Sequence, residues 1–192
     1  MGGILVNAEG KRFCNDMSTR DAVSNAELEQ PGAYAYIIFD QRIVDDLKSC
    51  QKYISNGLTV SSDSYEGLAK EMGLTGDAAA NFVETMNTWN SSVAASEDAE
   101  FGRSNGMDGD LSTAPYYAIK IAPGIHHTMG GLKINTDAQV LDTDGSIIPG
   151  LYAAGETTGG VHGGNRIGGN AVCDFVVFGR IAGSNASAYA AE

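Results

Sequence analysis

The stretch Gly155-Glu156-Thr157-Thr158-Gly159-Gly160-Val161-His162-Gly163-Gly164-Asn165-Arg166-Ile167-Gly168-Gly169-Asn170-Ala171 decides how this chain is read. It lies between a strand pattern ending at Ala153-Ala154 and a helical pattern beginning near Asn170. The glycines therefore lead onto a helix N-terminus, where unpaired N–H groups and the positive dipole end favour an anionic or electron-rich group. The stretch is not a P-loop, since it lacks Gly-Lys-Ser/Thr, and it is not the Gly-x-Gly-x-x-Gly opening of a nucleotide domain. Glu156, His162, Asn165 and Arg166 within it argue against a plain flexible linker. Eleven of the 25 glycines fall between Gly145 and Gly183, so the backbone there approaches something closely or turns through positive φ.

Working outward, the nearest second cluster is Pro123-Gly124-Ile125-His126-His127-Thr128-Met129-Gly130-Gly131. It holds two of the three histidines; the third is His162. Neighbours on an extended chain point to opposite sides, and no Cys or Asp stands at ligand spacing, so a zinc site is not expected. Before it, Gly3–Val6 and Arg12–Cys14 read as a β-hairpin. A helix is expected from Ser18, with Asp21 closing a short capping box, to about Leu28. That places Arg20 in a first turn, where acids are usual and a cation is not. Ala33–Phe39 reads as a strand and Gln41–Leu47 as a short helix. A further helix capped by Ser62 or Asp63 reaches Met72, and a longer one from Asp77 carries Phe82, Met86, Trp89 and Val93 on its core face. Residues 96–114 read as a boundary loop. Strands are expected at Tyr116–Ile121, near Gly131–Ile134, at Ala138–Leu141 and at Leu151–Ala154, with a turn at Asp144-Gly145. One helix runs from Asn170 to the end.

With 24 acidic against 12 basic residues the formal net charge is −12. That repels a nucleic-acid backbone or an anionic membrane surface at long range. No apolar run approaches the roughly 20 residues of a membrane helix. At 43% hydrophobic and 19% charged, the composition is that of a folded chain. Cys14, Cys50 and Cys173 are distant and odd in number, which offers no disulfide framework, and they are expected to be buried thiols. Met1-Gly2-Gly3 leads straight into Ile4-Leu5-Val6 without a signal-like segment, as in a piece cut from a longer protein.

Gly3–Asn7, Gly10–Phe13, Thr19–Asp21, Pro123–Gly131, Ile148–Glu156 and Gly159–Asp174 together resemble the C-terminal part of soluble FAD-dependent fumarate reductases. These belong to the fumarate reductase/succinate dehydrogenase flavoprotein family, which includes urocanate and related enoate reductases. The resemblance runs through all 192 residues in order. Its most specific parts are His-His-Thr-Met-Gly-Gly and Gly-Gly-Val-His-Gly-x-Asn-Arg-x-Gly-Gly-Asn.

The resemblance implies an α+β chain in two parts: a mobile capping or clamp domain over residues 1–114, and the β-then-helix end of an FAD-binding domain over 115–192. It implies hydride transfer from flavin N5 to an activated C=C bond, with Arg20 giving a proton to the other carbon. A guanidinium titrates above about 12, and a helix N-terminus with nearby cations eases that proton's release. His127 and Arg166 match residues that hold a substrate carboxylate, where a planar fork can bind both oxygens. Glu156, Gly155, Gly160, His126, Asn170 and Ala171 match flavin-contacting positions. The nucleotide-binding half, with its own substrate contacts, is missing, so the chain is expected to be inactive alone. The resemblance also places haem or covalent-FMN donor domains, and any export signal, outside this stretch. The other reading kept open is a non-catalytic carboxylate-binding or capping module. An oxidase of the aspartate-oxidase kind is less favoured by the His-His-Thr-Met-Gly-Gly context.

Overall fold

The computed structural model describes residues 2–191 and resolves two units, the first reaching Pro123 and the second beginning at Gly124. Short apolar runs make the first unit's sheet. Its strands are β1 (Ile4–Val6), β2 (Ala35–Asp40), β3 (Val60–Ser62) and β4 (Tyr116–Ile121), ordered β1-β2-β4-β3 with every pairing antiparallel. Between them lie α1 (Arg20–Leu28), α2 (Gln41–Asp46), α3 (Lys48–Ser55), α4 (Tyr65–Glu71) and α5 (Asp77–Ala95). Phe82, Met86 and Trp89, spaced one turn apart on α5, are fully buried together with Ile4, Val6, Ile38 and Leu68. The expected apolar stripe is thus a core face. Asp40 caps α2 by accepting from the Ile43 N–H, and Ser64 caps α4 by accepting from the Gly67 N–H.

Several expectations about this unit are corrected. Arg12–Cys14 is not the second arm of a hairpin, because β1 pairs with β2 instead, with Leu5 opposite Ile37. The reason is electrostatic. Arg12 leaves the strand register to enter a buried ion pair with Asp98, at 2.9 Å to each carboxylate oxygen. Next, α1 begins at Arg20 behind Thr19, which makes no side-chain cap, so Ser18 is not the capping residue. The domain break expected at 114/115 also moves, to Pro123–Gly124. Tyr116–Ile121 is flanked by β2 and β3, which makes it an interior strand of the first sheet. Finally, residues 96–114 are not a solvated boundary. Asp98, Arg103 and Leu111 are buried there, and Leu111 belongs to the core. Of the thiols only Cys50 is buried. Cys14 is half-buried, its pKa pushed up to about 11 by burial and by Asp16, and Cys173 is exposed.

The ion pair sits in a wider network. Asp16 accepts from Arg12 and Arg103, both at 3.1 Å, and from the Leu5 N–H at 2.7 Å. Arg103 also donates to the carbonyls of Gly3, Asn105 and Gly106. Both guanidiniums lie over the Trp89 ring, at 4.8 and 4.6 Å from its centroid. Burial works against the charge of Arg12, yet Asp98 and Asp16 raise its pKa beyond its ordinary value. The Arg12 hydrogen bonds hold the Asp98 carboxyl below its ordinary range, against the effect of burial.

The second unit contains β5 (Gln139–Leu141) and β6 (Ile147–Tyr152), an antiparallel pair closed by the expected turn at Asp144-Gly145, and α6 (Asn170–Tyr189). Leu132 and Ile134 form single bridges to Thr158 and Val140, rather than the strand expected at 131–134. α6 is apolar on more than one side, and Val172, Phe175, Val176 and Val177 are each about half exposed. The architecture is α+β, as expected. No helix among the described residues is long and apolar enough to cross a membrane.

Removing one partner of a buried ion pair strands the other, at a cost of about 3–5 kcal/mol. Asp98→Asn is expected to destabilise the chain by roughly that much in denaturant unfolding. Because the folded Asp98 pKa is lowered, its contribution is complete above the ordinary carboxylate range and is lost as pH falls through the folded value. The gap between wild type and Asp98→Asn should therefore narrow on acidification below about pH 4. A gap constant with pH would contradict this assignment.

Candidate functional site

The candidate site of the second unit forms where two glycine-rich segments lie side by side. The Leu132 N–H donates to the Thr157 carbonyl and the Gly159 N–H to the Leu132 carbonyl, each at 2.9 Å. This contact requires bare backbone. A Cβ on Gly131 would lie 2.4 Å from the Thr157 carbonyl oxygen. A single 3₁₀ turn, Gly155–Thr157, then presents Glu156, and the Thr158 hydroxyl closes that turn on the Gly155 carbonyl at 2.7 Å.

Glu156 is the hinge of the polar arrangement. One carboxylate oxygen accepts from the Thr128 N–H at 3.0 Å, and the other stands 3.5 Å from His127 Nδ1. The His127 side chain is only 7% exposed, and its ring meets the His162 ring edge-on, with centroids 5.7 Å apart at 70°. His162 Nε2 lies 3.0 Å from Asp174 Oδ2. Arg166 is buried, and its Nη1 donates to the adjacent Ile167 carbonyl at 3.2 Å. Among the described residues, His127 Nε2, Arg166 Nε and Asp174 Oδ1 are buried without a hydrogen-bond partner. Leaving such atoms unpaired costs about 1–3 kcal/mol each, so the unit holds polar atoms suited to a further polar group.

The loop ends at Gly169, whose φ of 90° is in the left-handed region. No side chain caps α6 there; the Asn170 N–H donates to the Ile167 carbonyl at 3.3 Å and the Val172 N–H to the Gly169 carbonyl at 3.0 Å, so what α6 offers an anionic or electron-rich ligand is the positive end of its dipole. No atom would lie within 4 Å of a Cβ at Gly160, Gly163, Gly164 or Gly169, which leaves open space beside the loop. These features fit part of an FAD site, with the helix start and the unpaired polar atoms as the contributing groups.

The expected residues divide as follows. Glu156, His127 and Arg166 belong to the second unit, and Glu156 and His127 are in contact. His126 is exposed, pointing away from its buried neighbour as alternation on an extended segment dictates. Gly155 is buried against Phe175 of α6, where a Cβ would meet the Phe175 Cβ at 3.2 Å. Gly160 lies in the open part of the loop, and Asn170 and Ala171 begin α6. Arg20 is the first residue of α1 in the first unit and is exposed. Sequence reasoning left His162 without a role and passed over Asp174 and Thr128. A signal for Asp174 was present, since it is the one charge in the otherwise apolar run Ala171–Phe178.

The family model described as FAD binding domain matches residues 1–172, and the chain belongs to that family. It is 48% identical over 192 residues to the probable fumarate reductase Ifc3 of Shewanella frigidimarina, covering 100% of this chain and 32% of that protein. It is 40% identical over 191 residues to the urocanate reductase of Eggerthella lenta, covering 97% of this chain and 31% of the relative. The structure of the open conformation of a flavocytochrome c3 fumarate reductase superimposes with a TM-score of 0.82 at 48% identity, over 100% of this chain and 33% of that one. The chain thus spans about a third of the length of these two relatives.

Gly131→Ala is expected to destabilise the second unit by about 1–3 kcal/mol, as an overpacked contact does, because the clash is with backbone that cannot swing aside. Gly164→Ala, which meets open space, should change stability by less than about 0.5 kcal/mol. Denaturant melts of the two variants make the comparison. Equal stabilities would mean that the 131/157 contact does not hold the segments together.

Proposed function

We propose that this chain is the C-terminal part of an FAD-dependent reductase of α,β-unsaturated carboxylates, its first unit serving as the capping, or clamp, domain. The observation that carries the reading is the contact of the exposed Glu156 with the enclosed His127 side chain, together with the buried Arg166, beside a glycine loop that feeds a helix start without a side-chain cap. The names of the relatives, which specify fumarate and urocanate reductases, support the substrate class.

FAD, when bound, supplies the hydride. Glu156, Gly155, Gly160, Asn170 and Ala171 are the proposed flavin-side positions. Arg166 grips the substrate carboxylate and, as a fixed positive charge, stabilises the enolate-like charge that builds up as the C=C bond is reduced. Arg20 gives the proton to the second carbon, and the guanidinium is afterwards reprotonated from solvent or a neighbouring acid. For the histidines, the geometry favours a division different from the one expected. His127 is buried against Glu156 and His162, which suits a supporting role beside the flavin-side carboxylate. The exposed His126 is the freer of the two to meet a substrate carboxylate with Arg166.

The other two thirds of such an enzyme would complete the FAD site, and a haem or FMN domain in the parent protein would deliver electrons, consistent with the flavocytochrome among the solved relatives. The 192-residue chain alone should therefore bind FAD weakly and show no reductase activity until the complementary part is added. A stoichiometric yellow, active complex of the chain by itself would refute this.

In the parent-length enzyme, Arg20→Lys is expected to lower kcat by about 10²–10⁴-fold with little change in KM, as loss of a general acid does. Arg166→Lys and His126→Gln should raise KM by roughly 10–100-fold, the loss of a charged hydrogen bond of about 1.5–3 kcal/mol. His127→Gln should do so less than His126→Gln. Steady-state kinetics with fumarate and urocanate measure all four. A KM unmoved by Arg166→Lys would sink the carboxylate grip, and a larger effect at His127 than at His126 would restore the original division.

A further inference from the structure

The contact between His162 and Asp174 has no part in the roles proposed above, yet it joins two side chains that are 12% and 3% exposed. Asp174 stands among Ala171, Val172, Cys173, Phe175, Val176, Val177 and Phe178, and its side chain is 3% exposed. A carboxylate buried in apolar surroundings is tolerated only when paired. Its partner is His162 Nε2 at 3.0 Å. With the Asp174 oxygen as acceptor, this contact places a proton on Nε2 of His162 and sets the orientation of the ring. The fixed ring lies against His127, whose Nδ1 faces Glu156, and Glu156 in turn accepts from Thr128. One row of contacts thus runs from α6, through the middle of the glycine loop, to the 123–131 segment and the 155–157 turn.

The location of the tie matters. His162 is bracketed by Gly159 and Gly160 on one side and by Gly163 and Gly164 on the other. Ordering such backbone costs about 1–2 kcal/mol per residue, more for glycine than for other residues. Arg166 rides on the same loop, four residues beyond the tie.

We infer that Asp174 and His162 form a positioning pair. Asp174 locks the His162 ring, and that ring anchors the glycine loop to α6 and props the His127 imidazole, so that the loop presents Arg166 in a single orientation. The functional meaning of this pair rests on the carboxylate-gripping role proposed for Arg166; its structural content does not.

The test is ¹⁵N NMR of the histidine side chains, with amide hydrogen exchange, on the 192-residue chain without flavin or substrate. In the wild type, His162 should carry its proton on Nε2. Asp174→Leu, close in shape but without an acceptor, should turn His162 into a tautomer mixture, shift the His127 ring signals, and cut protection of residues 159–169 by about tenfold or more. Asp174→Glu should restore the His162 tautomer in part, which a merely space-filling role would not predict. Should Asp174→Leu fail to fold, His162→Gln leaves the helix untouched and must by itself shift His127 and loosen the loop. Unchanged His127 signals and loop protection in whichever variant folds would overturn the pair, whatever Arg166 does. An unchanged KM in parent-length Arg166→Lys would instead overturn the carboxylate grip and leave the NMR result standing.

Discussion

The first unit depends on the bidentate ion pair between Arg12 and Asp98, with side chains 1% and 0% exposed. Two charges cannot be taken out of water at that depth unless nearly every hydrogen-bonding group around them is used. The chain meets this condition with Asp16, Arg103 and the backbone of Gly3 and Leu5, so a three-residue edge strand becomes fixed from its flank. The same condition turns residues 96–114, which form no helix or strand, into part of the core. Their polar groups are paired inside, and Leu111 is buried beside Trp89 and Phe82. The ring of Trp89 gives both guanidiniums an apolar floor and a weakly negative face.

Local patterns were legible to the extent that their causes were local. The face of α5, strands β2 and β4, the start of α6 and the Asp144-Gly145 turn follow from periodicity and turn residues within a few positions, and all were readable. Arg12 was not, because its partner lies 86 residues away and nothing beside it distinguishes a buried arginine from a solvated one. The domain break was misplaced for a similar reason. Tyr116–Ile121 pairs with strands far earlier in the chain, and nothing local to it distinguishes an interior strand of the first sheet from the opening strand of a second unit. α3 and β3 were missed because Lys48–Ser55 is mostly exposed and Val60–Ser62 is too short to alternate visibly.

In the second unit the glycine loop and its polar residues stood out at once, since so many glycines serve no purpose in an ordinary connection. What the sequence did not disclose was which side chains face each other. Alternation implied that His126 and His127 diverge, but the burial of His127 against Glu156 depends on the 131/157 backbone contact, which is tertiary. A loop this rich in glycine can let a flat ligand approach closely, and it then needs support from the few side chains it carries. The row from Asp174 to Glu156 provides that support within the unit.

The exposed surface of α6 has a bearing on the shape of whatever meets it. Phe175, Val176 and Val177 are consecutive, and at about 100° per residue they sweep some 200° of the helix circumference. No flat surface can shield an arc of that width. Only a socket that wraps the rod from two sides would do so.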